Sequence, residues 1–204
     1  VNMTTLKNLK GTAIQFRDSD PEVYAGSWSS GGALNSGRSL LGGFGSTTGA
    51  SANIVLSNMY GPHDHFEEKK SHALGALIKK IYDAKLNNSK HVKVWGTGKP
   101  IREWLYVEDG SDALIKSLNL KEDSYFFNIG VNKGISIYEM AKIIAKIIDW
   151  NGEFIFDTSK PDGAKEKRVL GKFTEKNFNW SPQISLENGI STTVEWYENN
   201  ILKL

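Results

Sequence analysis

From Ala52 onward the apolar positions keep two alternating rhythms: short runs or every-second-residue patterns, then stretches in which they recur every three or four residues. That alternation predicts strands and amphipathic helices in succession, an α/β unit. "NIVLSNMYG" is apolar and stops at Gly61-Pro62, which predicts one buried strand with Asn58 near its end. A helix is predicted from Ser71, with Leu74, Leu77, Ile78, Ile81 and Tyr82 on its inner stripe and His72, Ala76 and Lys80 aligned on another face. "HVKVW" and "IREWLYV" alternate as strands around Gly96-Thr97-Gly98-Lys99-Pro100, a hairpin-like excursion that sets Arg102 opposite Ile101 and Glu103.

Further along, Asp109 is expected to cap a short helix through Leu118 with Asp112 in its first turn, and "SYFFNIG" reads as a strand. Ser136-Ile137-Tyr138-Glu139 has the spacing of a capping box. It opens a helix whose Met140, Ile143, Ile144, Ile147 and Ile148 form one apolar face. The strand "EFIFD", the turn Pro161-Asp162-Gly163, the basic patch "KEKR" and a last helix from about Ser185, holding Val194 and Trp196, complete the pattern.

The first fifty residues keep neither rhythm. Glycine, serine and threonine crowd into "AGSWSSGGALNSGRSLLGGFGSTTGAS", so the chain divides into a Gly/Ser-rich irregular or β segment over 1–51 and an α/β part over 52–204. The glycines follow no convincing strand and open no amphipathic helix, so a phosphate-binding loop is not expected there.

Composition narrows the chemistry further. A net charge of +2 over 204 residues gives no sequence-wide basic field, so neither nucleic acid nor an anionic membrane is an expected partner. With Cys 0 there are no disulfides, thiolate metal sites or cysteine nucleophiles, and the four histidines lack the neighbouring ligands of a zinc site, so no metal is expected. No apolar run approaches the roughly 20 residues of a membrane span and no signal-peptide pattern is present, so a cytoplasmic location is expected.

In order, "NMYGPHDHF", "SHALGALIKKI", "VWGTGKPIREWLYVED", "FNIGVNKGISIYEMAKII", "FDTSKPDG" and "NWSPQISLENGISTTVEW" resemble the C-terminal half of the extended short-chain dehydrogenase/reductases that act on sugar nucleotides, the NAD-dependent epimerase/dehydratase family. Within that family the blocks are most similar to the NADPH-dependent epimerase/reductases of GDP-4-keto-6-deoxymannose. The resemblance implies an incomplete Rossmann-like fold, mainly a substrate-binding lobe, and a GDP-sugar as the small-molecule partner. It implies NADP as cofactor in the intact family, with none expected on this chain alone. By residue, it implies a catalytic acid at His72, substrate contacts at Lys80, Trp95 and Arg102, a further cation at Lys167 or Arg168, and a cofactor contact at Asn58. These residue types suit such a ligand, since a diphosphate takes arginine bidentately and lysine as a point charge, and rigid aromatics wall a sugar or base. Lys80 stands where the family usually has arginine.

The family's strand, glycine-rich turn and helix for the cofactor pyrophosphate are missing from their expected place, as is its catalytic Tyr-x-x-x-Lys. Tyr138 to Lys142 has that spacing, but it falls in the first turn of a helix that is structural in the family. Residues 20–50 instead resemble a single kelch-type repeat, too little to close a propeller. Hydride transfer by the chain alone is therefore not expected. Two arrangements stay open, a homodimer or a complementing chain that supplies the cofactor half. The competing reading is a non-catalytic nucleotide-sugar-binding or interaction module, or an inactive fusion remnant.

Overall fold

The computed structural model describes residues 3–7, 13–17, 41–45, 51–67, 70–117, 124–169, 171, 174–175 and 179–202. In chain order its strands are β1 (Met3–Lys7), β2 (Ala13–Arg17), β3 (Leu41–Gly45), β4 (Ser51–Leu56), β5 (Asn58–Tyr60), β6 (His91–Trp95), β7 (Ile101–Tyr106), β8 (Ser124–Ile129), β9 (Gly134–Ser136), β10 (Glu153–Asp157) and β11 (Glu166–Lys167). Its helices are α1 (Ala73–Leu86), α2 (Val107–Ser117), α3 (Ile137–Ile148) and α4 (Leu186–Tyr197), the last continued by a π-helical turn over Glu198–Leu202.

β1 to β4 form an antiparallel ladder, and β8 joins the far edge of β4 in parallel. Ile54, Val55 and Leu56 are all buried, as expected of a strand covered on both faces. The glycine-rich run thus does contain a strand, β3, while most of the kelch-like motif falls outside the described residues.

The single strand expected over residues 53–61 is two. Ser57 donates its N–H to Ile129 O at 3.0 Å, extending the β4–β8 ladder by one residue, and the chain then passes into a second sheet in which β5 pairs with β7. The hairpin expected around Gly96–Pro100 does not form either. β6 pairs in parallel with β10, whereas β7 pairs in parallel with β5 and β11 and antiparallel with β9. Positive φ at Gly96 (74°) and Gly98 (72°) turns the chain from one sheet to the other. The same link meets α3, since Gly98 O and Pro100 O accept the backbone N–H of Tyr138 and Ile137.

The helices follow the sequence more closely. Leu74, Leu77, Ile78 and Ile81 of α1 are buried with Val92 and Val94 of β6, Met140, Ile144 and Ile148 of α3, and Ile190, Val194 and Tyr197 of α4. α1 starts two residues later than expected, at Ala73, with His72 as its N-cap residue. α3 has the full capping box: the Ser136 hydroxyl accepts from Glu139 N, and the Glu139 carboxylate accepts from Ser136 N. Lys142 Nζ lies 4.7 Å from the Tyr138 ring centroid, so that tyrosine–lysine spacing produces a cation–π contact on a helix surface. Asp109 does not cap α2. It lies inside the first turn, buried, and its carboxylate accepts from Gln183 N and Ile184 N at 2.9 and 3.0 Å, tying α2 to the segment before α4. Asp112 lies beyond that turn and holds Lys116 and the Trp180 indole.

Candidate functional site

The site begins where β6 ends. Alternation along "HVKVW" buries Val92 and Val94 and turns Trp95 outward, 43% exposed. Lys80 Nζ from α1 lies 5.3 Å from the Trp95 ring centroid and Lys160 Nζ 5.8 Å from it, both within cation–π range. Lys160 immediately precedes the Pro161-Asp162-Gly163 turn, and Asp162 fixes that turn on the glycine link. Its carboxylate accepts from Thr97 N at 2.6 Å and Thr97 Oγ1 at 2.7 Å, which holds its pKa below the ordinary aspartate value. A side chain at Gly96 would collide with that carboxylate, so only glycine admits the contact.

Arg102 extends from β7 under the same turn. Its Nη1 donates to Ile101 O at 2.7 Å and Nη2 to Asp162 O at 3.4 Å, an arrangement that holds the guanidinium against backbone oxygens. The β7–β11 register sets Lys167 directly beside Arg102. Burial depresses both cations, and for Lys167 the neighbouring guanidinium depresses it further. Like charges side by side, with the nearby Asp162 carboxylate committed to Thr97, make a local attractor for an anion.

Alternation also resolves the choice between Lys167 and Arg168 as neighbour of Arg102. Arg168 Nε pairs with Glu166, and its aliphatic stem lies over Gly134 of β9. Lys80, Trp95, Arg102 and Lys167 are thus linked through Lys160 and Asp162, while Arg168 is turned elsewhere. His72 shares the Lys80 side of α1 but starts the helix, about 12 Å away along its axis. Asn58 is buried between β5 and β7: its Nδ2 donates to Glu103 O at 2.9 Å, and its Oδ1 has no partner among the described residues.

Sequence reasoning missed three residues here. Lys160 and Asp162 carry no local signal, because their partners Trp95 and Thr97 are brought near only by β6–β10 pairing. Glu103 did have one, a carboxylate inside "IREWLYV". It is 0% exposed and accepts backbone N–H groups from Val131, Asn132 and Val169 at 2.5, 2.6 and 2.5 Å, so it staples β7 to two loops. Burial raises its pKa, and those three donors pull against the rise.

Parallel β4–β8, β5–β7 and β6–β10 pairs, with α1, α3 and α4 packed into one core, make up a mixed α/β fold that is Rossmann-like. The model of the NAD dependent epimerase/dehydratase family matches residues 46–130. Residues 46–130 thus resemble part of a domain of that family. More narrowly, the chain is GDP-L-fucose synthase-like over about 72% of its length. It is 39% identical to the GDP-L-fucose synthase of Sinorhizobium fredii over 145 residues (71% of this chain, 46% of the relative). Against GDP-L-fucose synthase 1 of Arabidopsis thaliana the identity is 36% over 145 residues (71% and 45%). The crystal structure of a GDP-L-fucose synthetase from Naegleria fowleri bound to NADP is similar with a TM-score of 0.65 and 31% identity, covering 72% of this chain and 46% of that one. The chain thus spans about half the length of the curated relatives it matches.

Proposed function

We propose that residues 52–204 are the nucleotide-sugar-binding part of a GDP-L-fucose synthase-like epimerase/reductase, with a GDP-linked sugar as ligand. The observation that carries this reading is the pair of adjacent cations, Arg102 and Lys167, beside the exposed Trp95 ring. In this assignment Arg102 and Lys167 meet the diphosphate, Lys80 supplies a further point charge, and Trp95 walls the base or sugar. His72 acts as an acid in epimerisation at a carbon next to the 4-keto group.

NADP is the cofactor the similarity favours, and its role is to deliver hydride. Among the described residues no glycine-rich turn between a strand and a helix N-terminus offers a pyrophosphate site. Ser57 Oγ, just past β4, and Asn58 Oδ1, at the start of β5, are buried without hydrogen-bond partners among the described residues and are the polar atoms on offer to its nicotinamide end. On this reading residues 52–204 bind the sugar nucleotide, and hydride transfer needs the cofactor-binding part of the fold as well.

Calorimetric titration with GDP tests this, with UDP and Arg102→Ala as controls. Micromolar binding of GDP that weakens about tenfold or more in Arg102→Ala is expected from loss of charge-assisted hydrogen bonds. Absence of binding by either nucleotide overturns the reading in favour of a fold that has lost its ligand.

A further inference from the structure

Lys160, in the connection between β10 and β11, is an exposed cation beside the contacts assigned to Lys80, Trp95, Arg102 and Lys167 but not among them. Its Nζ stands 5.8 Å from the centroid of the Trp95 ring, which Lys80 Nζ approaches to 5.3 Å from α1. The connection is fixed at both ends. At its start Asp157 O accepts Gly96 N at 3.0 Å and Lys160 N at 3.1 Å, and the Asp157 carboxylate accepts Ser159 Oγ at 2.6 Å and Ser159 N at 3.2 Å. Further along, Asp162 grips Thr97 through both carboxylate oxygens. The Lys160 side chain therefore starts from a fixed backbone position over the glycine link.

The two acids that flank Lys160 in sequence are engaged elsewhere. Asp157 also takes Lys93 Nζ at 3.0 Å, and Ser159 and Lys93 together lower its pKa to about 2. Asp162 is held by Thr97. Neither acid forms an ion pair with Lys160 among the described residues. The ammonium rests instead on the Trp95 ring, a contact that places a cation without neutralising it. Two residues on, the same connection meets the other cations: Arg102 Nη2 donates to Asp162 O at 3.4 Å, and Lys167 lies beside Arg102 in the β7–β11 register. One short segment thus joins Lys80 and Trp95 to Arg102 and Lys167.

We propose that Lys160 is a further ligand-contact residue, whose ammonium meets the diphosphate between Trp95 and Arg102. This rests on the nucleotide-sugar reading of the site and adds a contact to it. Lysine suits the place, since a point charge on a flexible stem can leave the ring and follow an oxygen of either phosphate, whereas the Arg102 guanidinium is tied to two backbone oxygens. Resting on the ring keeps the ammonium near before the ligand arrives, which lowers the ordering cost of binding.

Calorimetric titration of the full chain with inorganic pyrophosphate, and separately with GDP, gives the test. Lys160→Ala is expected to raise both dissociation constants about fivefold or more, through loss of a charge-assisted contact. Lys160→Arg keeps the charge and should recover most of that loss. Lys146→Ala, on the exposed side of α3, removes the same charge and should leave both constants unchanged. Equal losses in the Lys160→Ala and Lys146→Ala chains would reduce the effect to net charge and overturn the assignment. So would a pyrophosphate affinity unchanged in Lys160→Ala, or no binding of pyrophosphate by the unaltered chain. The contact and the site can fail separately. GDP binding lost in Arg102→Ala but intact in Lys160→Ala removes Lys160 and keeps the nucleotide-sugar site; Lys160-dependent binding of pyrophosphate, with GDP bound no more tightly, keeps Lys160 and removes the nucleotide.

Discussion

Trp95 and Trp104 close the two ends of one short segment and meet opposite fates. Trp95 stands outside, its ring flanked by Lys80 and Lys160, on a link whose glycines are buried and whose exposed tie to Asp162 joins residues 65 apart in sequence. Trp104 is 6% exposed in the core, next to Glu103, which gathers three backbone donors from two distant loops. The first region presents its ring and cations at the surface, where the proposed ligand would meet them; the second holds sheets and loops in register. Arg102 sits on the boundary, with backbone from the rigid side and Lys167 on the exposed one.

The sharpest break of this contrast is Glu103→Ala. It leaves three backbone N–H groups without their acceptor in a buried place, and a stability loss of about 3 kcal/mol or more is expected by urea denaturation. Trp104→Ala is next, at about 3 kcal/mol for a buried aromatic, against less than about 1 kcal/mol for Trp95→Ala. Equal losses at the two tryptophans would erase the distinction between rim and core.

The smallest effect concerns pH. Asp162 is held below its ordinary pKa by hydrogen bonds from Thr97, so the tie contributes fully above the unfolded-state value and is lost as pH falls through the lowered folded-state value. Thr97→Val keeps the backbone donor and removes the hydroxyl, which should move the Asp162 pKa part of the way back up in a carboxyl NMR titration. An unmoved pKa would assign the tie to the backbone alone.

Local order was legible in the sequence where one segment decides its own structure. The capping box of α3 and the apolar stripe of α1 follow from residues three and four apart. What escaped were choices between segments. Nothing in "NIVLSNMYG" signals that Ser57 ends one sheet and Asn58 enters another, because the partners that decide it, β8 and β7, lie far along the chain. "HVKVW" and "IREWLYV" look like hairpin arms until β10 and β11 claim them. The site showed the same division. Lys80, Trp95 and Arg102 were implied by the family resemblance, but Lys160, Asp162 and the choice of Lys167 over Arg168 as neighbour of Arg102 depended on strand register.

Both edges of β4 are already occupied, by β3 on one side and β8 on the other. A second polypeptide that extended this sheet beside β4 would have to displace β3 along its five-residue ladder. Docking there is then a strand exchange, whose rate is governed by how often β3 peels away and not by how often the two molecules collide. Such an assembly would form slowly, accelerate steeply on warming, and lose its dependence on partner concentration once the partner is abundant.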